Sequence, residues 1–367
     1  MGREELLARY DAAYAHAFKS YLEDREYQRS YGMLNFGDWW GERYLDWGNS
    51  EYDTQNALFL QYARTGDVRY FLAGEQMEWH NRDVDTIHHD ADKSRIGGVY
   101  HHSVGHTGGY FPKGALLGAP IVVGILTVDH VWTQGHLAYY FLTGDRRSFE
   151  TAELIGRRYD SYATINFDFA SCRVPGWHLI MTMALYQATG DRFYLNAARI
   201  IMDRVVERQT SDGGWDFWGV CLDSYGNFGF TTGILLTGLR MYYEASGDER
   251  AARQIVQGAY FIAKNLWVES AGTFKYANCA DWYAGSALLT PLLLDGMRFA
   301  HQRTHDPELR QILLAATNKV LEGLEAFNPA VSRADASGVG KEFGVYVCHT
   351  PYFIGYVAAL QEKHSLP

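Results

Sequence analysis

Several features are missing from this 367-residue sequence, and each absence removes a class of protein. No stretch approaches the roughly eighteen uninterrupted apolar residues of a membrane-spanning helix. No run of Lys or Arg occurs in a chain of net charge −10, whereas nucleic-acid phosphates demand clustered cations. Neither a nucleic acid nor a membrane is therefore an expected partner. There is no HExxH and no CxxC, which removes the best-marked zinc and redox motifs. No period-2 alternation of any length marks a strand, apart from short stretches inside the long loops. The opening segment MGREELLARYDAAYAHAF is charged and amphipathic, not a basic segment followed by an apolar run, so the expectation is a cytoplasmic chain without a secretory signal.

Aromatic residues, by contrast, are plentiful. They make up 15% of the chain, with 26 Tyr and 10 Trp, in a composition that is 47% apolar and ample for a large core. Tyr and Trp offer a flat apolar face with a polar handle, which suits the packing of large helices and equally suits stacking on sugar rings.

A short signal recurs along the chain: RTGD at 64–67, LTGD at 142–145, ATGD at 188–191, ASGD at 245–248 and a degenerate RTHD at 303–306. Each is flanked by helical patterns. Gly takes the left-handed position that ends one helix, and Asp caps the amides of the next. The preceding helices, such as HLIMTMALYQ, are apolar nearly all round, whereas the following ones, such as SFETAELIGRRYD, carry one apolar stripe. An inner helix, a tight turn and an outer helix therefore form the repeating unit. Five such units run from about 51 to 325, and a helix at 3–27 pairs with one at 350–362 as a sixth. The predicted fold is all-α, an (α/α)6 toroid in one domain spanning 1–367, with every long connection on one face. Those connections are 28–50, 85–128, 164–174, 208–227, 267–282 and 326–349. Long loops in a compact domain are usually functional, so the cleft is expected there.

That face is rich in aromatic and titratable residues. Tyr52, Trp132, Trp177, Phe228, Trp282 and Tyr352 each open an inner helix, and Trp39, Trp215, Tyr225 and Tyr346 join them from the loops. They either wedge the barrel top or form stacking platforms, with amides such as Asn278 nearby to meet hydroxyls. Glu51, Asp53, Asp129, His130, His136, Arg173 and His178 supply charge, although Asp53 and Asp129 also suit helix capping.

The longest connection contains GGVYHHSVGHTGGYF, residues 97–111. His102 and His106 have the spacing of a helical metal pair, but five glycines oppose a helix there, and no carboxylate stands at ligand spacing. A phosphate cradle needs a Gly-rich turn leading from a strand into a helix with a Lys, and the sequence runs instead into YFPKGALLGAP. The expectation is an active-site loop offering His101, His102, His106 and Tyr110 to a substrate, without cofactor or metal. The cysteines at 172, 221, 279 and 348 read as reduced, buried small hydrophobes.

The segments NFGDWWGER, DWGNSEYDTQNALFLQYARTGD, VYHHSVGHTGGYF and DHVWTQGHLAYYFLTGD together resemble the α/α-toroid domain of the exo-rhamnogalacturonan lyase-like (YetA-like) proteins, over roughly residues 31–250. Members usually carry β-rich domains before the toroid; none is expected within residues 1–367. The resemblance implies exo cleavage of a uronate-containing glycan by β-elimination. Such chemistry needs a cation on the carboxylate, a base for the C5 proton and an acid for O4. Arg173, Arg95 or Lys275 could be the cation, His102 or His106 the base, and Tyr110, Tyr225 or Tyr346 the acid. The rival is hydrolysis of a glucuronide, drawing on carboxylates among Glu51, Asp53, Asp129, Asp216, Asp281 and Glu342. A non-catalytic sugar-binding toroid is a third reading, and a homo-oligomer could cover part of the aromatic face.

Overall fold

The computed structural model describes residues 2–30, 36–40, 47–100, 126–163, 169–279, 287–328 and 339–362. An outer helix α1 (Arg3–Gln28) is followed by five helical hairpins. They are α2 (Thr54–Thr65) with α3 (Val68–His80), α4 (Gln134–Thr143) with α5 (Arg146–Ala163), and α6 (Arg173–Thr189) with α7 (Arg192–Arg208). After these come α8 (Gly229–Ser246) with α9 (Glu249–Asn265), and α10 (Pro291–Thr304) with α11 (Pro307–Glu325). A bent pair, α12 (Gly340–Cys348) and α13 (Thr350–Glu362), closes the chain.

The tight turns follow from local chemistry. Gly66, Gly144, Gly190 and Gly247 all take φ between 68° and 78°, and His305 stands in the same left-handed position at 56° in the degenerate turn. Added Cβ atoms at these four glycines would meet nothing within 4 Å, so the backbone conformation, not space, requires glycine. The Asp that follows caps the next helix each time: Asp67 accepts from the Arg69 amide at 3.0 Å, Asp191 from Phe193 at 2.9 Å and Asp248 from Arg250 at 3.0 Å. The Thr or Ser before each glycine accepts from that Asp's own amide, as Thr189 does at 3.1 Å. Such a cap is worth about 1 kcal/mol.

Around the ring, α2 packs on α4, α4 on α6, α6 on α8 and α8 on α10. The bent α12–α13 pair touches both α10 and α2 and closes the circle. The fold is thus an (α/α)6 toroid. Inner helices bury every side: in α6 the whole run Pro175–Leu185 is buried. Outer helices bury one stripe, in α7 Tyr194, Leu195, Ala197, Ala198, Ile201, Met202 and Val205. Helix α1 packs on α11 and α13 as the outer partner of the sixth unit. No single helix among the described residues is long and apolar enough to cross a membrane.

Two features depart from the sequence reading. Residues 340–348 are a helix, not the end of a loop, because the run Phe343–Cys348 is buried on every side despite Gly340 and Gly344. The second concerns cysteine. Two antiparallel hairpins, β1 (Phe217–Cys221) with β2 (Ser224–Gly226) and β3 (Trp267–Val268) with β4 (Thr273–Phe274), stand in adjacent long connections. Neighbouring units bring Cys221 within 5.4 Å of Cys279 (Cα–Cα), and the two form a disulfide. Only Cys172 and Cys348 are buried free thiols, so the expectation of four reduced cysteines is corrected for this pair.

Candidate active site at the open face

The turn before α2 is pinned from several sides. The Asp38 carboxylate accepts the Asn49 amide at 3.0 Å and the Ser50 amide at 3.2 Å, and the Trp132 indole donates to the Asn49 carbonyl at 2.8 Å. These contacts hold Asn49, Ser50 and Asp53 at positive φ, a conformation disfavoured without glycine. Burial pushes the Asp38 carboxyl up to about 6, although nearby His80 opposes the shift. The pinned turn presents Glu51.

Glu51 is fully buried and meets two cations. Arg173 Nη2, from the first residue of α6, lies 2.6 Å from Oε1, and Lys341 Nζ, from the start of α12, lies 3.3 Å from Oε2. The same Arg173 nitrogen is 2.9 Å from His130 Nε2. His130 Nδ1 is 3.2 Å from Asp129 Oδ1, and Arg173 Nε is 3.7 Å from Asp129 Oδ2. Since a guanidinium can only donate, Nε2 accepts, which leaves the ring proton to Nδ1. Burial disfavours the Arg173 charge, yet Tyr52, Glu51 and Asp129 outweigh it and raise its pKa, so it stays a cation.

Beneath this cluster lies an aromatic floor. The Arg173 guanidinium sits 5.0 Å from the Tyr52 ring centroid, and Lys341 sits 5.9 Å from it. Tyr52 stacks on Trp177 at 5.8 Å, Trp132 meets Trp177 edge-on at 4.8 Å, and Trp177 meets His349 at 5.8 Å. Burial lowers the His349 pKa to about 4, so that imidazole is neutral at physiological pH. Deeper in the ring, Arg240 and Arg298 grip the buried Asp295 at 2.8 Å and 2.6 Å.

Of the residues singled out from sequence, Glu51, Asp129, His130, Trp132, Arg173 and Trp177 come together here. Others face elsewhere. His136 Nδ1 lies 2.7 Å from Glu78 between α4 and α3, and His178 Nε2 lies 2.8 Å from Asp160 between α6 and α5. Asp53 caps α4, accepting the Gln134 and Gly135 amides at 3.1 Å. Trp39 is packed against Gly48 and Gly340, and the Trp215 indole donates to the Val205 carbonyl at 3.0 Å among outer helices. Tyr346 is buried beside Phe327 and Gly323, where burial pushes its hydroxyl up to about 12. Asn278 takes the Asn227 amide at 2.8 Å and latches two loops. Tyr225 stands exposed on β2. Arg95 pairs with Asp90 at 3.0 Å and not with Glu51 or Asp129. His101, His102, His106, Tyr110, Asp281 and Trp282 lie outside the described residues.

Lys341 was not anticipated. Its only signal was the apolar run Phe343–Cys348 that follows it, interrupted by Gly344. Among the described residues no three His, Cys, Asp or Glu side chains are grouped to hold a metal ion.

The fold places the chain among known structures. It is similar to the unsaturated glucuronyl hydrolase of Streptococcus agalactiae, with 10% identity and TM-score 0.60 over 100% of this chain and 94% of that one. It is also similar to the cellobiose 2-epimerase of Bacillus thermoamylovorans B4167, with 12% identity and TM-score 0.64 over 97% and 99% of the two chains. A third similar structure is an α-1,6-mannanase of Salegentibacter sp. HEL1_6 in complex with α-1,6-mannotetrose, at 13% identity and TM-score 0.57 over 96% and 99%. No protein-family model and no curated protein matches the chain. At these identities the likeness is one of fold, and function has to be argued from the site.

Proposed function

We propose that this chain is a carbohydrate-active enzyme that cleaves a uronate-bearing glycan at its open face, by β-elimination in an exo manner. One observation carries the reading: Arg173 Nη2 bridges Glu51 and the Nε2 of an imidazole backed by Asp129, with Lys341 alongside. A cation pair beside a neutral imidazole is what removal of a proton next to a carboxylate requires.

The geometry supports the following sequence of events. A substrate carboxylate draws Arg173 toward itself, which neutralises the carboxylate and acidifies the C5–H bond. The same movement releases the His130 Nε2 lone pair that Arg173 had been occupying. His130 then takes the C5 proton, the electron pair forms the C4–C5 double bond, and the C4–O4 bond breaks. The imidazolium, stabilised by Asp129, returns its proton to O4 when the leaving group departs on the same face. The charges of Arg173, Lys341, Glu51 and Asp129 cancel, so an anion meets a locally neutral site within an acidic protein. Tyr52, Trp132 and Trp177 are buried beneath the cluster, so their part is to hold Arg173 and His130 in place from below, not to stack on sugar.

A second reading, hydrolysis, is favoured by the presence of two carboxylates, Glu51 and Asp129, on either side of Arg173. The fold shared with a glucuronyl hydrolase agrees with it. Incubation with oligogalacturonates separates the two. Elimination generates ultraviolet absorbance from a double bond conjugated to the carboxylate, whereas hydrolysis generates reducing ends without it.

A further inference from the structure

The β1–β2 hairpin carries an exposed apolar surface that the ring does not need for packing. Trp218 is 66% exposed, Tyr225 63% and Leu222 at the tip 94%. Trp218 and Tyr225 are cross-strand partners with ring centroids 5.2 Å apart, so they form one patch. Hairpins this short are marginal alone, yet this one is held in place. Its last residue before the tip, Cys221, is disulfide-bonded to Cys279 of the next connection. Its base is fixed by the Asn227 side chain donating to the Trp215 carbonyl at 2.8 Å, and by Asn278 accepting the Asn227 amide at 2.8 Å.

Two observations identify what such a rigid patch would hold. First, it is continuous with the candidate site: Phe217, opening the hairpin, packs on Phe169 at 5.6 Å, and Phe169 leads through Cys172 to Arg173. Second, its surroundings are acidic. Asp212 and Asp216 flank the base and Asp223 forms the tip, while Arg208, the cation preceding them in sequence, is turned onto the Phe169 and Phe217 rings and donates to the Phe169 carbonyl at 2.8 Å. A uronate would be repelled here, whereas the hydrophobic faces of an uncharged pyranose fit exposed rings.

We propose that Trp218 and Tyr225 form an outer subsite that binds uncharged sugar residues of the same glycan whose acidic end is processed at Arg173 and His130. This rests on the reading of the cleft as a glycan site, and it assigns a substrate class: a chain with neutral pyranoses beyond its reacting uronate. Preordered rings would bind with little loss of side-chain freedom, which is the advantage of clamping the hairpin.

The test is a titration of the full chain with cellohexaose, xylohexaose, β-1,4-galactohexaose and hexagalacturonate, followed by tryptophan fluorescence and calorimetry. At least one neutral hexasaccharide is expected to bind. Trp218→Ala should weaken it about ten-fold or more, as truncation of an aromatic anchor does, and Trp218→Phe should recover most of the loss. Hexagalacturonate affinity should not change in either variant. Because Trp218 is exposed, the variants should melt like the parent. The proposal is overturned if no neutral hexasaccharide binds the parent chain, or if Trp218→Ala leaves that binding unchanged. It is equally overturned if sedimentation shows the parent self-associating through this patch, with Trp218→Ala dissociating the copies and sparing sugar binding. Trp218-dependent binding in a protein with no cleavage activity would support the subsite while refuting the proposed reaction, so the two failures are distinguishable.

Discussion

Arg173→Met is the perturbation that probes most of the cluster at once. Methionine keeps much of the arginine stem over Tyr52 but removes the charge from Glu51, which is fully buried, and from His130. Two unit charges about 4 Å apart interact by about 4 kcal/mol at an effective permittivity of about 20. Removing one partner of a buried pair costs about 3–5 kcal/mol, because the survivor keeps its desolvation without its counter-charge. Here Lys341 still touches Glu51 at 3.3 Å, and the Arg173 side chain is 16% exposed, so the lower part of that range applies. A loss of about 3 kcal/mol is therefore expected, read from urea midpoints at constant m-value. Glu51→Gln added to Arg173→Met should recover part of it, giving a coupling of about 1–2 kcal/mol in the double-mutant cycle. Strictly additive losses, or an Arg173→Met cost below about 0.5 kcal/mol, would refute the argument that this pair organises the site.

Other outcomes follow from single features. His130→Ala should lower turnover of an acidic glycan by about a hundred- to ten-thousand-fold, the usual range for loss of a general acid–base group, and activity close to the parent's would exclude His130 as the base. Under denaturing, non-reducing conditions two thiols per chain should react, Cys172 and Cys348, and four would mean that the Cys221–Cys279 bridge does not form. Reducing that bridge, whose cysteines are 58 residues apart, should cost up to about 4 kcal/mol by loop closure, seen as a lower midpoint in reductant. Burial pushes Asp53 up from 3.8 to about 7 despite His136 and the amides it caps. A folded value above the ordinary one means stability present below about pH 4 and lost as pH rises through about 7. Asp53→Asn cannot titrate and should flatten that decline; equal declines in both proteins would assign it to another group.

The fold was legible because its signals are local. A left-handed Gly followed by a capping Asp needs only four residues to be recognised, and five repeats with two leftover helices specify a closed ring. The same count placed Glu51, Asp129, His130 and Arg173 on one face. It could not say which way each side chain points, since position along a barrel axis carries no angle around the helix. His136 and His178 occupy the same loop-face turns as the cluster yet point between helices, to Glu78 and Asp160. Trp215 and Tyr346 were read as cleft aromatics, but each fills a gap between neighbouring helices. Lys341 was hidden because Gly340 and Gly344 made a buried helix look like a loop. These glycines admit close approach: a Cβ on Gly344 would lie 2.5 Å from the Glu51 carbonyl oxygen. The disulfide was hidden because its partners meet only when adjacent repeats pack.

The central claim is that Arg173 and His130 act together to remove a proton beside a substrate carboxylate. It is tested most directly by incubating the parent chain, Arg173→Met and His130→Ala with oligogalacturonates and recording ultraviolet absorbance and reducing ends together. Absorbance growing in step with new reducing ends, in the parent alone, is the expected result. Reducing ends without absorbance, or absorbance that persists in His130→Ala, would contradict it.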